Sequence, residues 1–103
     1  MLERLQAALA ELGPAYHYFA APNAAPPYLV WAEDSSEDLE SDNVHSESGY
    51  SGTIDLYTKT EDDPLTAAIP EALNTLECAW YLESVQYEAE TGLIHYEWVW
   101  GMV

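Results

Sequence analysis

Residues 79–101 read AWYLESVQYEAETGLIHYEWVWG and contain two apolar runs rich in Trp, Tyr, Val and Ile. Runs of this composition are typical of β-strands. Only Glu90-Thr91-Gly92 separates Ala79 to Ala89 from Leu93 to Gly101, and the glycine can adopt the positive φ of a tight turn. We therefore predict a β-hairpin. One side of its second strand, predicted to face the core, carries Ile94, Tyr96, Trp98 and Trp100.

A helix is predicted just before the hairpin. Asp62-Asp63-Pro64 combines acceptor side chains with a proline, the chemistry of an N-cap followed by the first helical residue. Pro70 lies inside the apolar pattern that follows and predicts a kink or a restart of the helix. Cys78 comes after this pattern and is predicted to pack as a small hydrophobe. The predicted apolar stripe consists of Leu65, Ala68, Ile69, Ala72, Leu73 and Leu76.

The N-terminal half alternates helix, strands and loops. Leucines at three- and four-residue spacing predict an amphipathic helix over residues 2–12, which Gly13-Pro14 ends. Strands are predicted over residues 15–19, 28–32 and 50–59, the last with one buried and one polar face. The proline-rich residues 20–27 form a loop, and the acidic residues 33–48 are predicted to form a long one.

The order of elements is helix, strand, strand, strand, helix, strand, strand. This order predicts an α+β fold: a mostly antiparallel or mixed sheet of four to five strands with two helices on one face. A length of 103 residues suits a single domain spanning 1–103. The sequence shows no signal-peptide pattern and no run of about 18 apolar residues, so we expect neither secretion nor a membrane span.

The charge is extreme. Only Arg4 and Lys59 are basic, against 19 acidic residues, which gives a formal charge of −17. Because nucleic acids and anionic membranes are bound largely through Lys and Arg, specific binding to either is disfavoured. The hydrophobic fraction of 49% nevertheless predicts a folded chain.

No residue pattern indicates catalysis. His17, His45 and His95 are far apart and lack the spacing of a metal site, and no Gly-rich phosphate loop or Gly-x-Ser-x-Gly elbow occurs. The acidic loop could gather Ca²⁺, but it lacks the order of an EF-hand, so a solvated loop is the better interpretation. We predict a protein that is not an enzyme and has no catalytic residue, cofactor or metal.

The aromatic residues exceed what one face of a small sheet can bury. Four Trp and eight Tyr occur in 103 residues. Some must be covered by a helix or lie in an interface, where Trp and Tyr are enriched. The aromatic content therefore favours assembly with other protein chains.

Several segments, in this order along the chain, resemble the small tail-terminator, or tail-completion, proteins of long-tailed phages and prophages of Gram-positive bacteria. The resemblance implies a ring homo-oligomer, usually of six subunits, that caps the tail tube and joins it to the head connector. DNA would pass through an acidic lumen, and the ring would assemble in the bacterial host cytoplasm and reside in the virion tail. The segments are Tyr16 to Phe19, Ala25 to Val30, Asp42-Asn43, Ile54 to Lys59, Asp62 to Pro64 and Thr91 to Tyr96.

The partners implied by this resemblance are further copies of the chain, the tail-tube protein and the head-connector protein. The residues predicted to contact a subunit or partner are Trp31, Asp42, Asn43, Tyr57, Lys59, Trp98 and Trp100.

The charge also suggests an alternative function. An acidic inhibitor or DNA mimic could occupy the basic cleft of a nuclease or repressor. Mimicry needs carboxylates spaced like phosphates on one face, whereas the acids here concentrate in one loop and are otherwise dispersed. We therefore rank this function second and an enzyme last.

Overall fold

A computed structural model describes residues 2–34 and 50–102 and confirms the predicted order of elements. The predicted loop 33–48 lies outside the described residues, except that Glu33 ends a strand and Asp34 follows it. The elements are helix α1 (Leu2–Leu12), strands β1 (Ala15–His17), β2 (Tyr28–Glu33) and β3 (Tyr50–Thr58), helix α2 (Leu65–Thr75), and strands β4 (Ala79–Glu88) and β5 (Leu93–Met102).

The strands form one mixed sheet in the order β1-β2-β3-β5-β4. The short β1 pairs parallel with β2, and the other pairs are antiparallel. The α+β class and the mixed, mostly antiparallel sheet are therefore confirmed. In this order β1 and β4 are the two edges, and β3 lies in the middle.

Both helices cover the same face of this sheet. Alternation along β3 places Ile54, Leu56 and Thr58 on the covered face, where all three are fully buried. The predicted inward side of β5 is also confirmed, because Ile54 pairs with Trp98 and Leu56 pairs with Tyr96. The core between helices and sheet includes Leu5, Leu9, Leu29, Trp31, Ile69, Leu73, Trp98 and Trp100. We call this face the helix side and the opposite one the open face.

A buried hydrogen-bond pair joins β3 to the start of α2. The Thr58 hydroxyl donates to Oδ2 of Asp63 (2.6 Å), and the Leu65 backbone N–H donates to Oδ1 of the same carboxylate (2.9 Å). Pro64 already has helical dihedrals (φ −57°, ψ −22°), so the predicted Asp-Pro helix start is confirmed.

Two details differ from the predictions. Of the two outcomes predicted at Pro70, a kink or a restart, the restart does not occur: α2 continues through Pro70 as one helix, with Ile69 and Leu73 fully buried on either side of it. Strand β1 ends at His17 rather than at residue 19, because the positive φ of Tyr18 (74°) turns the chain out of the strand. Among the described residues, no helix has the length and apolarity needed to cross a membrane.

Candidate assembly surface

Strand β4 carries apolar side chains on the helix side that the helices cover only in part. Four of its residues lie beside the buried and half-buried row of β5, and their exposed fractions are 37%, 47%, 49% and 68% along the strand. Protein interfaces are enriched in such exposed aromatic and aliphatic groups. We call these four residues the β4 stripe: Trp80, Leu82, Val85 and Tyr87.

The rise in exposure along the β4 stripe follows from the lengths of the elements. An 11-residue helix is about 16 Å long, whereas a 10-residue strand is about 33 Å long. The Nε1–H of Trp80 donates to Oδ1 of Asn74 near the end of α2 (2.8 Å), so this end of β4 is partly covered. Tyr87 lies at the other end and is the most exposed of the four.

A bulge interrupts the β4 strand in the middle. The pairing with β5 shifts between Leu82 and Ser84, leaving Glu83 as the extra residue. Without this shift, Leu82 and Val85 would point to opposite faces, because side chains alternate along a strand. The bulge therefore keeps all four residues of the stripe on the helix side.

The opposite edge of the sheet ends in a second exposed aromatic group, Tyr18 and Phe19, which we call the aromatic tip. Phe19 is 78% exposed and Tyr18 is 53% exposed. The ring of His17 stacks on both Tyr18 (centroids 4.3 Å apart) and the buried Trp31 (4.0 Å), which anchors the tip to the helix side of the sheet. The tip and the β4 stripe thus lie at opposite edges on the same side.

Glu33 ties the base of the tip together. His17 Nε2 donates to Oε1 of Glu33 (2.7 Å). Partial burial raises the pKa of Glu33, but the hydrogen bonds from His17 and Tyr18 outweigh it and leave the pKa below its ordinary value. The hydrogen bond between Tyr18 and Glu33 raises the pKa of Tyr18. Glu33 is therefore held ionised as an acceptor for both side chains.

A row of rings crosses the open face of the sheet. Tyr28 stacks on Tyr57 (centroids 5.1 Å apart), which stacks on His95 (4.4 Å), and Tyr16 meets the edge of Tyr28 (6.1 Å). Burial and the nearby Asp55 carboxylate raise the pKa of Tyr57 to about 12.

Two carboxylates on the open face lie directly opposite each other on neighbouring strands. Asp55 on β3 is opposite Glu97 on β5, and Asp55 Oδ1 accepts a hydrogen bond from His95 Nε2 (2.8 Å). Partial burial and the Asp55 charge raise the pKa of Glu97. Like charges directly opposite on neighbouring strands destabilise a sheet.

The predicted contact residues are dispersed in the structure. Trp31, Trp98 and Trp100 are core residues that are at most 2% exposed. Tyr57 is half-buried in the ring row, and Lys59 is exposed just after β3. Asp42 and Asn43 lie outside the described residues.

Sequence reasoning missed the β4 stripe and the aromatic tip as exposed apolar groups; Tyr50 and Tyr81 are exposed as well. One signal for the stripe was present: the apolar positions Trp80 and Leu82 are even-numbered, whereas Val85 and Tyr87 are odd-numbered, the pattern that a bulge produces. Nothing local in the sequence distinguishes the exposure of β4 from the burial of β5.

The other residues considered for chemistry have structural surroundings. Cys78 is buried, as predicted, and burial raises the pKa of its thiol. His17 and His95 each contact one carboxylate, and His45 lies outside the described residues. Within residues 2–34 and 50–102, no three His, Cys, Asp or Glu side chains are grouped so as to hold a metal ion.

Comparison of the chain with known protein families, with curated proteins and with solved structures finds no match.

Proposed function

We propose that this chain is a structural protein that works by joining copies of itself, in the role of a phage tail terminator. The observation that carries the assembly part is the pair of exposed apolar groups, the β4 stripe and the aromatic tip, at opposite edges of one sheet. The ring would cap the tail tube and join it to the head connector.

On a chain of such high negative charge, exposed uncharged groups indicate where a specific contact with another chain would form. A formal charge of −17 keeps copies of the chain apart and opposes non-specific association. Large apolar side chains that remain exposed on such a surface are removed from water only when a specific partner binds over them. The stripe and the tip contain no charged residue, and the Glu33 carboxylate at the base of the tip already accepts hydrogen bonds from His17 and Tyr18.

The phage-tail part of the proposal is supported by the ordered sequence segments that resemble tail terminators. The acidity suits that role, since carboxylates around a lumen repel DNA and allow it to slide without sticking. The exposed apolar groups also support assembly over the acidic-inhibitor alternative, because a decoy for DNA needs carboxylates on its docking face.

Light scattering during size-exclusion chromatography, together with native mass spectrometry, tests this function. The purified chain is measured alone and with tail-tube protein, in raised salt to screen the repulsion between copies. We expect a closed ring in at least one of these conditions. A chain that stays monomeric and does not bind the tail tube would overturn the proposal, and salt-sensitive inhibition of a basic nuclease would then favour the acidic inhibitor.

A further inference from the structure

We infer that the two edges of the sheet dock on each other between copies, with the aromatic tip of one copy packed on the β4 stripe of the next. This inference rests on the proposed self-assembly and adds the two surfaces that carry it. The occupant of the β4 stripe is therefore a second copy of this chain, presented through Tyr18 and Phe19.

The exposed area of the β4 stripe matches what a subunit contact needs. With aromatic side chains of about 150–250 Å² and smaller aliphatic ones, the exposed fractions of the four residues amount to roughly 400 Å² of mostly apolar surface. A specific interface buries about 800 Å² on each partner, of which somewhat more than half is apolar. The stripe alone thus supplies most of the apolar part of one interface.

The presence of two separate apolar groups favours a head-to-tail contact. A single self-complementary surface produces a closed dimer and leaves the rest of the chain unoccupied. This chain instead exposes one group at each edge of the same sheet, on the same side. If each copy offers its tip to one neighbour and its stripe to the other, both groups are buried and the contacts can close into a ring.

The bulge at Glu83 favours side-chain packing over strand addition at this edge. A long flat edge strand would accept a neighbouring strand through its free backbone groups, but a bulge interrupts that ladder. The aromatic tip lies beyond the end of β1, where the chain has left the strand. The tip can therefore contact the β4 stripe through its side chains, without adding a strand to the sheet.

The β4 stripe residues are uncharged, but two carboxylates lie near the contact, Glu83 on the same strand and Glu33 at the base of the aromatic tip. Raised salt should therefore strengthen the association between copies by screening these charges.

The test uses two charge-introducing variants, each with a matched control. Val85→Glu places a carboxylate in the stripe, and Gln86→Glu places the same group next to it, on the open face of the same exposed strand. Phe19→Glu changes the tip, and Ala21→Glu adds the same charge in the exposed loop that follows. We expect Val85→Glu and Phe19→Glu each to weaken association by about a hundredfold or more. Each of the controls, Gln86→Glu and Ala21→Glu, should weaken it by less than about tenfold.

Mixing Val85→Glu with Phe19→Glu identifies the pairing. Each variant retains one intact surface, so the mixture should form a dimer that neither variant forms alone and should not grow further. Light scattering under the conditions in which the wild-type chain assembles measures this, and circular dichroism checks that both variants fold. If Val85→Glu misfolds, Tyr87→Ser replaces it, because Tyr87 is the most exposed residue of the stripe.

The outcomes separate this inference from the proposed function. If wild-type chain forms rings and Val85→Glu forms them equally well, the docking surfaces are wrong and the ring proposal stands. If Phe19→Glu still associates while Val85→Glu does not, the stripe pairs with itself and the tip is not its occupant. If the wild-type chain never associates, alone or on the tail tube, both are overturned.

Discussion

The β4 and β5 strands of one hairpin present similar side chains to the same side of the sheet, but in opposite environments. Trp100 on β5 is 1% exposed, whereas Trp80, its partner on β4, is 37% exposed. One position along, Trp98 is 2% exposed and Leu82 is 47% exposed. This difference in exposure occurs between two strands that are direct neighbours in the sheet.

The position of the helices accounts for this difference. Packed helices lie about 8–10 Å apart and strands about 4.8 Å apart, so two helices cover roughly four of five strands. Because β5 is an inner strand and β4 is an edge, coverage fails at β4. The comparison teaches that apolar character in this sequence indicates a strand, whereas strand order decides whether the strand is core or contact surface.

The largest expected effect comes from exchanging the two paired tryptophans for alanine, one at a time. Trp100→Ala should lower the free energy of unfolding by about 3–5 kcal/mol, because it empties a fully buried site and removes the Nε1–H donor to the Thr53 carbonyl. Trp80→Ala should cost less, about 1–2 kcal/mol, because its ring is only partly covered and loses one exposed hydrogen bond to Asn74. Urea unfolding followed by circular dichroism measures both, at protein concentrations too low for association. Equal losses of unfolding free energy in the two variants would contradict the difference in burial between β5 and β4.

A smaller effect extends the same comparison to carboxylates. Asp63→Ala should cost about 2 kcal/mol, because it removes an acceptor from the first turn of α2 and leaves the O–H of the buried Thr58 without its acceptor. Glu61→Ala, an exposed acid two residues earlier, is the control and should change stability by less than about 0.5 kcal/mol. A loss at Asp63 no greater than at Glu61 would mean that the Thr58–Asp63 pair does not hold α2 to β3.

The smallest effect concerns the open face, which lies between the two extremes in exposure. Glu97→Gln should raise stability at neutral pH by about 0.5 kcal/mol, because it removes the negative charge opposite Asp55. Glu90→Gln in the exposed hairpin turn makes the same change in net charge and serves as the control. Urea unfolding of both variants gives the difference, and equal effects would assign the gain to net charge alone.

The sign of the pH dependence follows from the direction of the Glu97 shift. Its pKa in the folded chain is raised above the ordinary 4.5, so the folded state binds a proton more readily than the unfolded state. The stability that protonation contributes is present below pH 4.5 and is lost as the pH rises through the folded pKa. The advantage of Glu97→Gln should therefore be full at neutral pH, decrease as the pH falls through the folded pKa, and vanish below pH 4.5.

Local chemistry made much of the fold predictable. The leucine spacing of α1, the alternation along β3 and the Asp-Pro start of α2 each depend on neighbouring residues, and each matches the structure. Gly92, with φ of 74°, likewise has the turn geometry expected of it. These features need no knowledge of how distant segments pack.

The candidate surface was less predictable because it depends on distant segments. The sequence predicts subunit or partner contacts for Trp31, Trp98 and Trp100, and in the structure of the single chain all three lie in the core, where the helices pack over their strands. The exposure of Phe19 follows from the turn at Tyr18, a backbone conformation that a tyrosine rarely adopts. In both cases tertiary packing, rather than residue type, set the outcome.

The uneven burial of the tryptophans also has an optical consequence. Three of the four indole rings are shielded from water, whereas the ring of Trp80 is partly open to it. A dissolved uncharged quencher such as acrylamide should therefore reduce mainly the emission of Trp80 in the free chain. Since that ring belongs to the β4 stripe, loss of quenching would report occupation of the stripe directly, without a label attached to the protein.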